Sequence, residues 1–265
     1  MCGIAGYSLD ADSGVDRTLA AQALLAGIAE RGADAVGYAY RGAGPGVTIH
    51  KRRSGATALL ADIELPPEAT DALVHVRDYT KGHPTILANN HPIRHGAVVG
   101  IHNGIIVNDE EIFARYGLER AEPEMTVDSE AIFALMDVTR SYQASLEELR
   151  GAMATAWIDE RVPSGMHLAR GVARPLWIGR SRRELFFAST KVALEVVERT
   201  LRLTLRKHEV AEGRLLRIER GRILSETRFR PDRSYCEVNV LPSVRAPHEG
   251  ISCLAKLATL VTLAP

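Results

Sequence analysis

Cysteine is scarce in this 265-residue chain, which has only Cys2, Cys236 and Cys253. Their odd number and wide spacing supply neither a disulfide framework nor a close-spaced zinc site, and favour reduced thiols in the cytosol. Net charge is also missing. With 33 Lys plus Arg against 33 Asp plus Glu, the chain lacks the long-range attraction that a binder of nucleic acid or of an anionic membrane normally carries, although a local basic patch stays compatible with neutrality. Apolar stretches are too short or too interrupted to cross a bilayer. No secretory leader opens the sequence: Cys2 follows Met1 directly, and Arg17, the first basic residue, comes well after the opening apolar run. No internal repeat or low-complexity tract stands out. These absences predict a soluble cytoplasmic protein that binds neither nucleic acid nor membrane. With 46% hydrophobic residues over this length, one sizeable core or two modest ones can form without covalent staples.

The opening CGIAGYSLD reads as a short buried strand, which holds the extreme N-terminus inside a sheet. A turn rich in Asp and Gly precedes a helix over 18–30, where Leu19, Ala23 and Ala26 join Leu24 and Ile28 in an apolar stripe. Further strands are predicted at 35–41, 46–52, 72–77 and 97–101. The loop 78–95 carries Gly82, Pro84 and Pro92 without strand periodicity, as a functional excursion would. Helices are expected at 109–116, 129–140 and 145–150, the last from a capping box of Ser145 and Glu148. Strands return at 153–158, 165–170, 175–178 and 185–188, a helix at 191–199, and a hairpin at 214–219 and 222–226 around Arg220-Gly221. Strand runs and helix runs are segregated, so the pattern predicts an α+β protein rather than a doubly wound one. One catalytic-size domain is expected over 1–230. The 231–265 tail, broken by Pro242, Ser243 and Pro247, is given no function beyond a short docking element at 251–263.

Cys2 is the first candidate for chemistry. Its side chain is small, so removal of Met1 is expected, and mature Cys2 then carries both a thiol and the free α-amine. Their reference pKa values, about 8.5 and about 7.7–8.0, let the pair exchange a proton near neutral pH. One residue then supplies nucleophile and base, the amine acting directly or through a water. The competing reading is a small hydrophobe leading into a buried strand. An acyl substrate attacked by Cys2 also needs oxyanion donors, for which Asn103-Gly104 is suited, although Asn-Gly pairs commonly just make turns. An amino-acid substrate needs a cation for its carboxylate and an anion for its ammonium. Arg77 and Asp128 suit those tasks; an ordinary surface arginine and a helix N-cap are the alternatives.

MCGIAGY, RGADAVG at 31–37, HVRDYTKGHP at 75–84, NNHP at 89–92, IHNGIIVN at 101–108 and VDSEAI at 127–132 together resemble the class II glutamine amidotransferases. The nearest likeness is to the glutaminase domain of glutamine-fructose-6-phosphate aminotransferase. FFASTKVAL at 186–194 and HEVAEGRLLRI at 208–218 extend the resemblance to roughly residue 225. It implies an N-terminal-nucleophile hydrolase fold, a four-layer α/β/β/α sandwich. It also implies Cys2 as nucleophile, Asn103 and Gly104 as oxyanion hole, Arg77 as clamp for the glutamine α-carboxylate and Asp128 as partner of its ammonium. Arg31 resembles the arginine that supports the nucleophile, and Gly32, Asp34 and Gly37 fit its motif. His91 and His102, like His75, are read as structural or loop-positioning groups, with no metal and no cofactor called for.

The departures lie in the segment that covers bound glutamine. Where the family has HTRWATHG, this chain has Asp78, Tyr79 and Lys81, so the covering tryptophan is lost. The roughly 35 residues after position 230 are too few for a synthase domain. The expectation is therefore a glutaminase that forms a Cys2 γ-glutamyl thioester and releases ammonia and L-glutamate, the ammonia passing to a separate acceptor enzyme. The alternatives are hydrolysis of another γ-glutamyl amide, and a partner-activated regulatory or scaffolding subunit of a separately encoded synthase.

Overall fold

The computed structural model describes residues 2–44, 46–237 and 242–263. The expected loss of Met1, and part of the 231–265 tail, lie outside the described residues.

Strand β1 (Gly3–Leu9) is buried along its whole length. Successive side chains of a strand point to opposite faces, and here both faces are dry. Ala5, Tyr7 and Leu9 enter a core beneath helices, while Ile4 enters a second core shared by two sheets. Burial on both sides explains why this strand reads as a nearly continuous apolar run.

Its sheet also contains β2 (Ala35–Arg41), β3 (Val47–Arg52), β4 (Asp71–Arg77), β9 (Trp177–Arg180), β10 (Glu184–Ala188) and β11 (Arg206–Glu209). The order is β11-β9-β10-β1-β4-β2-β3, and each neighbouring pair is antiparallel. The second sheet is built from β5 (Ile93–His95), β6 (Val98–Ile106), β7 (Gly151–Asp159), β8 (Met166–Arg170), β12 (Arg214–Glu219) and β13 (Arg222–Arg228). Its order is β13-β12-β8-β7-β6-β5. Ile4, Leu73 and Phe187 of the first sheet meet Ile101, Ala154 and Leu168 of the second between the two layers.

Helices close both outer faces. On the first sheet lie α1 (Arg17–Ile28), α2 (Ala56–Leu59), α6 (Lys191–Leu201) and α7 (Pro247–Leu263). Asp16 caps α1 by accepting from Leu19 N at 2.8 Å, satisfying one of the orphan amides of its first turn. On the second sheet lie α3 (Asp109–Tyr116), α4 (Glu130–Thr139) and α5 (Tyr142–Glu148). The result is the four-layer α/β/β/α sandwich.

Three expectations are corrected. The Asn103-Gly104 pair lies inside β6, opposite Ala154 and Met153 of β7, rather than in a turn after a strand ending at 101. Cross-strand pairing overrides the local turn signal. Ser145 is not an N-cap: it sits inside α5, where its Oγ donates to Ser141 O at 3.0 Å. The apolar segment near the C-terminus is a longer helix than expected, and Cys253 and Leu257 of α7 insert into the helix-side core. Glu249 clasps α7 to α2, accepting from Thr57 N at 3.0 Å and Thr57 Oγ1 at 2.9 Å.

Candidate active site

Because β1 is central, residue 2 is delivered to the end of the first sheet, where β4 terminates in Arg77. The Cys2 thiol is half-buried and lies 3.5 Å from the Asp78 carbonyl oxygen, to which it donates. Burial raises its pKa above the usual cysteine value, against the nearby positive charge of Arg77, which lowers it. A thiol held this way is neutral at pH 7 and needs a base. Arg31, from the single 3-10 turn after α1, donates Nε to Cys2 O at 2.9 Å while almost wholly buried. It fixes the backbone of Cys2.

The second sheet brings β6 to the same place. Asn103 is fully buried, yet neither its Oδ1 nor its Nδ2 has a partner. Such a group ordinarily costs about 1–3 kcal/mol, which is characteristic of a donor kept open for something that arrives later. Gly104 adopts φ +152°, and a Cβ there would stand 1.8 Å from Ala152 O; no other residue fits. Beneath it His102 bonds through Nδ1 with Ser129 Oγ at 2.8 Å, and burial lowers its pKa to about 3. His75 approaches His102 O through Nε2 at 3.1 Å and stacks on His91 with ring centroids 4.2 Å apart. Burial drives His75 to about 3 and His91 well below the ordinary histidine value. These are neutral packing groups under the oxyanion strand.

Cys2, Asn103 and Gly104 line one cavity of about 60 Å³, together with Asp78, Thr80, Ile105, Arg174, Tyr235 and Glu237. That is space for a few waters and too little for an amino acid. Arg77 and Asp128 are not in its wall. The Arg77 guanidinium is consumed internally, donating to Asn90 Oδ1, to Lys81 O at 2.8 Å and to Gly82 O. It holds loop 78–90 shut upon itself. Asp128 accepts from Ile106 N at 2.7 Å at the end of β6. Burial pushes its carboxyl up to about 6. Ser129, not Asp128, occupies the N-cap position of α4. Arg77 and Asp128 nonetheless feel one another's charge.

Of the departing residues, Asp78 lines the cavity, while Tyr79 and Lys81 lie outside its wall. Tyr79 is 44% exposed, its ring set edge-on to His83 with centroids 5.3 Å apart and its N–H donating to Asp34 Oδ2 at 2.9 Å. Lys81 turns toward Asp109 and Glu110 at the start of α3, at 2.5 and 3.1 Å. Sequence reasoning did not find Arg174, Tyr235 or Glu237. No local pattern marks them, since they reach the site from the turn after β8 and from the tail. Asn90 did carry a signal, within the quoted NNHP segment.

A family model described as a glutamine amidotransferase domain matches residues 82–196. Glutamine--fructose-6-phosphate aminotransferase [isomerizing] of Bradyrhizobium diazoefficiens is 32% identical over 205 residues, covering 73% of this chain and 32% of that protein. The chain spans about a third of the length of the curated relatives it matches. Among solved structures, glutamine phosphoribosylpyrophosphate amidotransferase from B. subtilis superposes with a TM-score of 0.69 at 23% identity, covering 86% of this chain and 49% of that one. A glutamine aminotransferase class-II domain protein from Silicibacter pomeroyi gives 0.52 at 17% identity, covering 87% of this chain and all of the other. With the two-sheet sandwich and these matches together, the chain belongs to the class II glutamine amidotransferase family and has its N-terminal-nucleophile hydrolase fold.

Proposed function

We propose that this chain is a thiol-dependent glutaminase whose Cys2 attacks the side-chain carboxamide of L-glutamine. The observation that carries the reading is the convergence of the Cys2 thiol with a fully buried, unpartnered Asn103 amide and Gly104 around one cavity. Loss of Met1 frees the α-amine of Cys2, which takes the thiol proton as the Sγ–C bond forms. Asn103 Nδ2 and the Gly104 N–H receive the oxyanion that exists only during reaction. Collapse breaks the C–N bond, and the amine's proton leaves with ammonia. Water then attacks the γ-glutamyl thioester, giving L-glutamate and the free thiol. Arg77 holds the α-carboxylate and Asp128 the ammonium once loop 78–90 is rearranged, because in the present arrangement the Arg77 donors are engaged. Ammonia passes to an acceptor enzyme in the cytoplasm.

A second reading has a specific observation in its favour. Tyr79 is exposed and Lys81 is drawn to α3, so the bulky cover over a small carboxamide is missing, which suits a γ-glutamyl amide with a larger amine. Purified protein is assayed for glutamate release from L-glutamine and from a panel of γ-glutamyl amides, with intact mass recording Met1 removal and the Cys2 adduct of a glutamine-like electrophile. A processed Cys2 adduct protected by L-glutamine is expected. Glutamate release by protein that retains Met1, or by Cys2→Ala, would sink the nucleophile assignment.

A further inference from the structure

The cavity around Cys2 contains a cation that the reaction above does not use. Arg174 lies between β8 and β9, and its side chain is 5% exposed. Nη1 donates to Glu237 Oε2 at 2.9 Å and Nη2 to Glu237 Oε1 at 2.8 Å. Nη1 also reaches Ala173 O at 2.9 Å, and Nε is buried with no partner. Among the described residues, Glu237 is the carboxylate that pairs with Arg174.

A planar guanidinium in a nearly dry wall is matched to a carboxylate, which satisfies two of its donors at once and offsets the cost of burying the charge. The carboxylate present belongs to neither sheet. It comes from the segment after β13, together with Tyr235, and leaves the cavity too small for an amino acid. Further along, Arg245 pairs with Asp78, itself a lining residue, at 3.2 Å. The tail thus presents to the nucleophile a glutamate side chain, the same carboxylate-bearing group that the proposed reaction releases. Arg77, by contrast, is engaged by its own loop and absent from the wall.

We infer that Arg174 is a specificity-determining residue that binds a carboxylate of the substrate, and that Glu237 holds that place as an internal competitor. The inference rests on the reading of the Cys2 cavity as the reaction site. The carboxylate has two chemical sources: an acidic group on the amine side, or the α-carboxylate of the γ-glutamyl part, in which case Arg174 takes the place assigned above to Arg77. Both engage the same fork.

The test uses the full chain in a Cys236→Ser background, which removes the exposed thiol. Cys2 is alkylated with iodoacetate or iodoacetamide, electrophiles of similar size that differ in a carboxylate, and peptide mapping gives each rate. The Sγ–C bond forms as the C–I bond breaks and iodide leaves. Glu237→Gln should accelerate both reagents and raise the iodoacetate to iodoacetamide ratio about tenfold. Adding Arg174→Gln should keep the faster iodoacetamide reaction and abolish the preference for iodoacetate. This double variant leaves no unpaired charge in the wall, and its circular dichroism and Tm report whether it is folded. An unchanged ratio with Cys2 labelled overturns the inference alone; Cys2 inert in every folded variant overturns the nucleophile reading with it. Steady-state kinetics separate the sources. Arg174→Gln should raise KM about tenfold, with a smaller change in kcat, for L-glutamine, γ-glutamylglycine and γ-glutamylmethylamide alike if the α-carboxylate is bound. Only the KM for γ-glutamylglycine should rise if the amine-side carboxylate is bound. No KM change for any of the three overturns the assignment.

Discussion

Asn103 and Arg77 are equally hidden from solvent, yet their hydrogen bonds are opposite. Asn103 has both amide atoms open, whereas Arg77 spends its donors on Asn90, Lys81 and Gly82. An open buried group stores the capacity to bind at a cost in stability; a partnered one adds stability and must give up bonds before it can bind. In the reaction proposed above, the oxyanion strand is therefore ready in this arrangement, and the substrate-clamp side is not.

The largest expected effect tests the reaction that gives the contrast meaning. Cys2→Ala should lower glutamate release by roughly 10,000-fold or more with Tm little changed, measured by coupled assay and thermal melts. Next, Asn103→Ala should reduce kcat by roughly 100- to 1,000-fold while leaving KM nearly unaltered and not lowering the unfolding free energy, since the buried unpartnered amide is itself a cost. A stability loss as large as that of an ordinary core asparagine would show that Asn103 has partners after all. Arg77→Ala should do the reverse, costing about 3 kcal/mol in urea unfolding by stranding the buried carbonyls and Asn90, along with a raised KM. A raised KM at unchanged stability would make Arg77 an open clamp like Asn103, and the comparison would collapse.

The smallest effect concerns Asp128. Its folded carboxyl keeps a proton up to about pH 6, whereas an unfolded aspartate releases it near 4. The folded chain thus binds the extra proton in that window, and this group's contribution falls as pH rises through it. Above the window, the ionised form costs up to about 3 kcal/mol. Asp128→Asn should recover most of that at pH 8 and little at pH 4, read from denaturation at both pH values. Equal gains at both would mean that burial is not what shifts the carboxyl.

Much of the sandwich was legible in the chain because its central strands are dry on both faces: Ile4, Tyr7 and Leu9 mark β1 by composition alone. Two of the four edge strands were not. β11, with the residues RKHE, and the three-residue β5 have no apolar alternation of their own and exist through pairing with β9 and β6. The site divides in the same way. The motif around Asn103 and Gly104 marked the pair, but the strand read from the apolar run stopped at 101, since the partner that extends it, β7, lies some fifty residues on. Arg174 and Glu237 were invisible because a pair separated by 63 positions leaves no periodic trace. α7 was legible only in part, with Ile251 69% exposed and Leu254 42% exposed on its outer side.

Two adjacent residues at the end of the first helical segment grip the chain in opposite directions. Arg31 holds Cys2 O at 2.9 Å, while Glu30 O accepts from Arg245 N at 2.9 Å and Ala246 N at 2.8 Å. This junction ties Cys2 to Arg245 and Ala246, more than 240 positions apart, so timing during synthesis follows from it. β1 lacks its β10 neighbour until residue 188 has been made, and the Glu30 clasp waits for residue 246. A chain growing from its N-terminus spends most of its synthesis without these partners. Throughout that interval the strand that follows Cys2 lacks a neighbour, and Tyr235 and Glu237, which line the Cys2 cavity, have yet to be made.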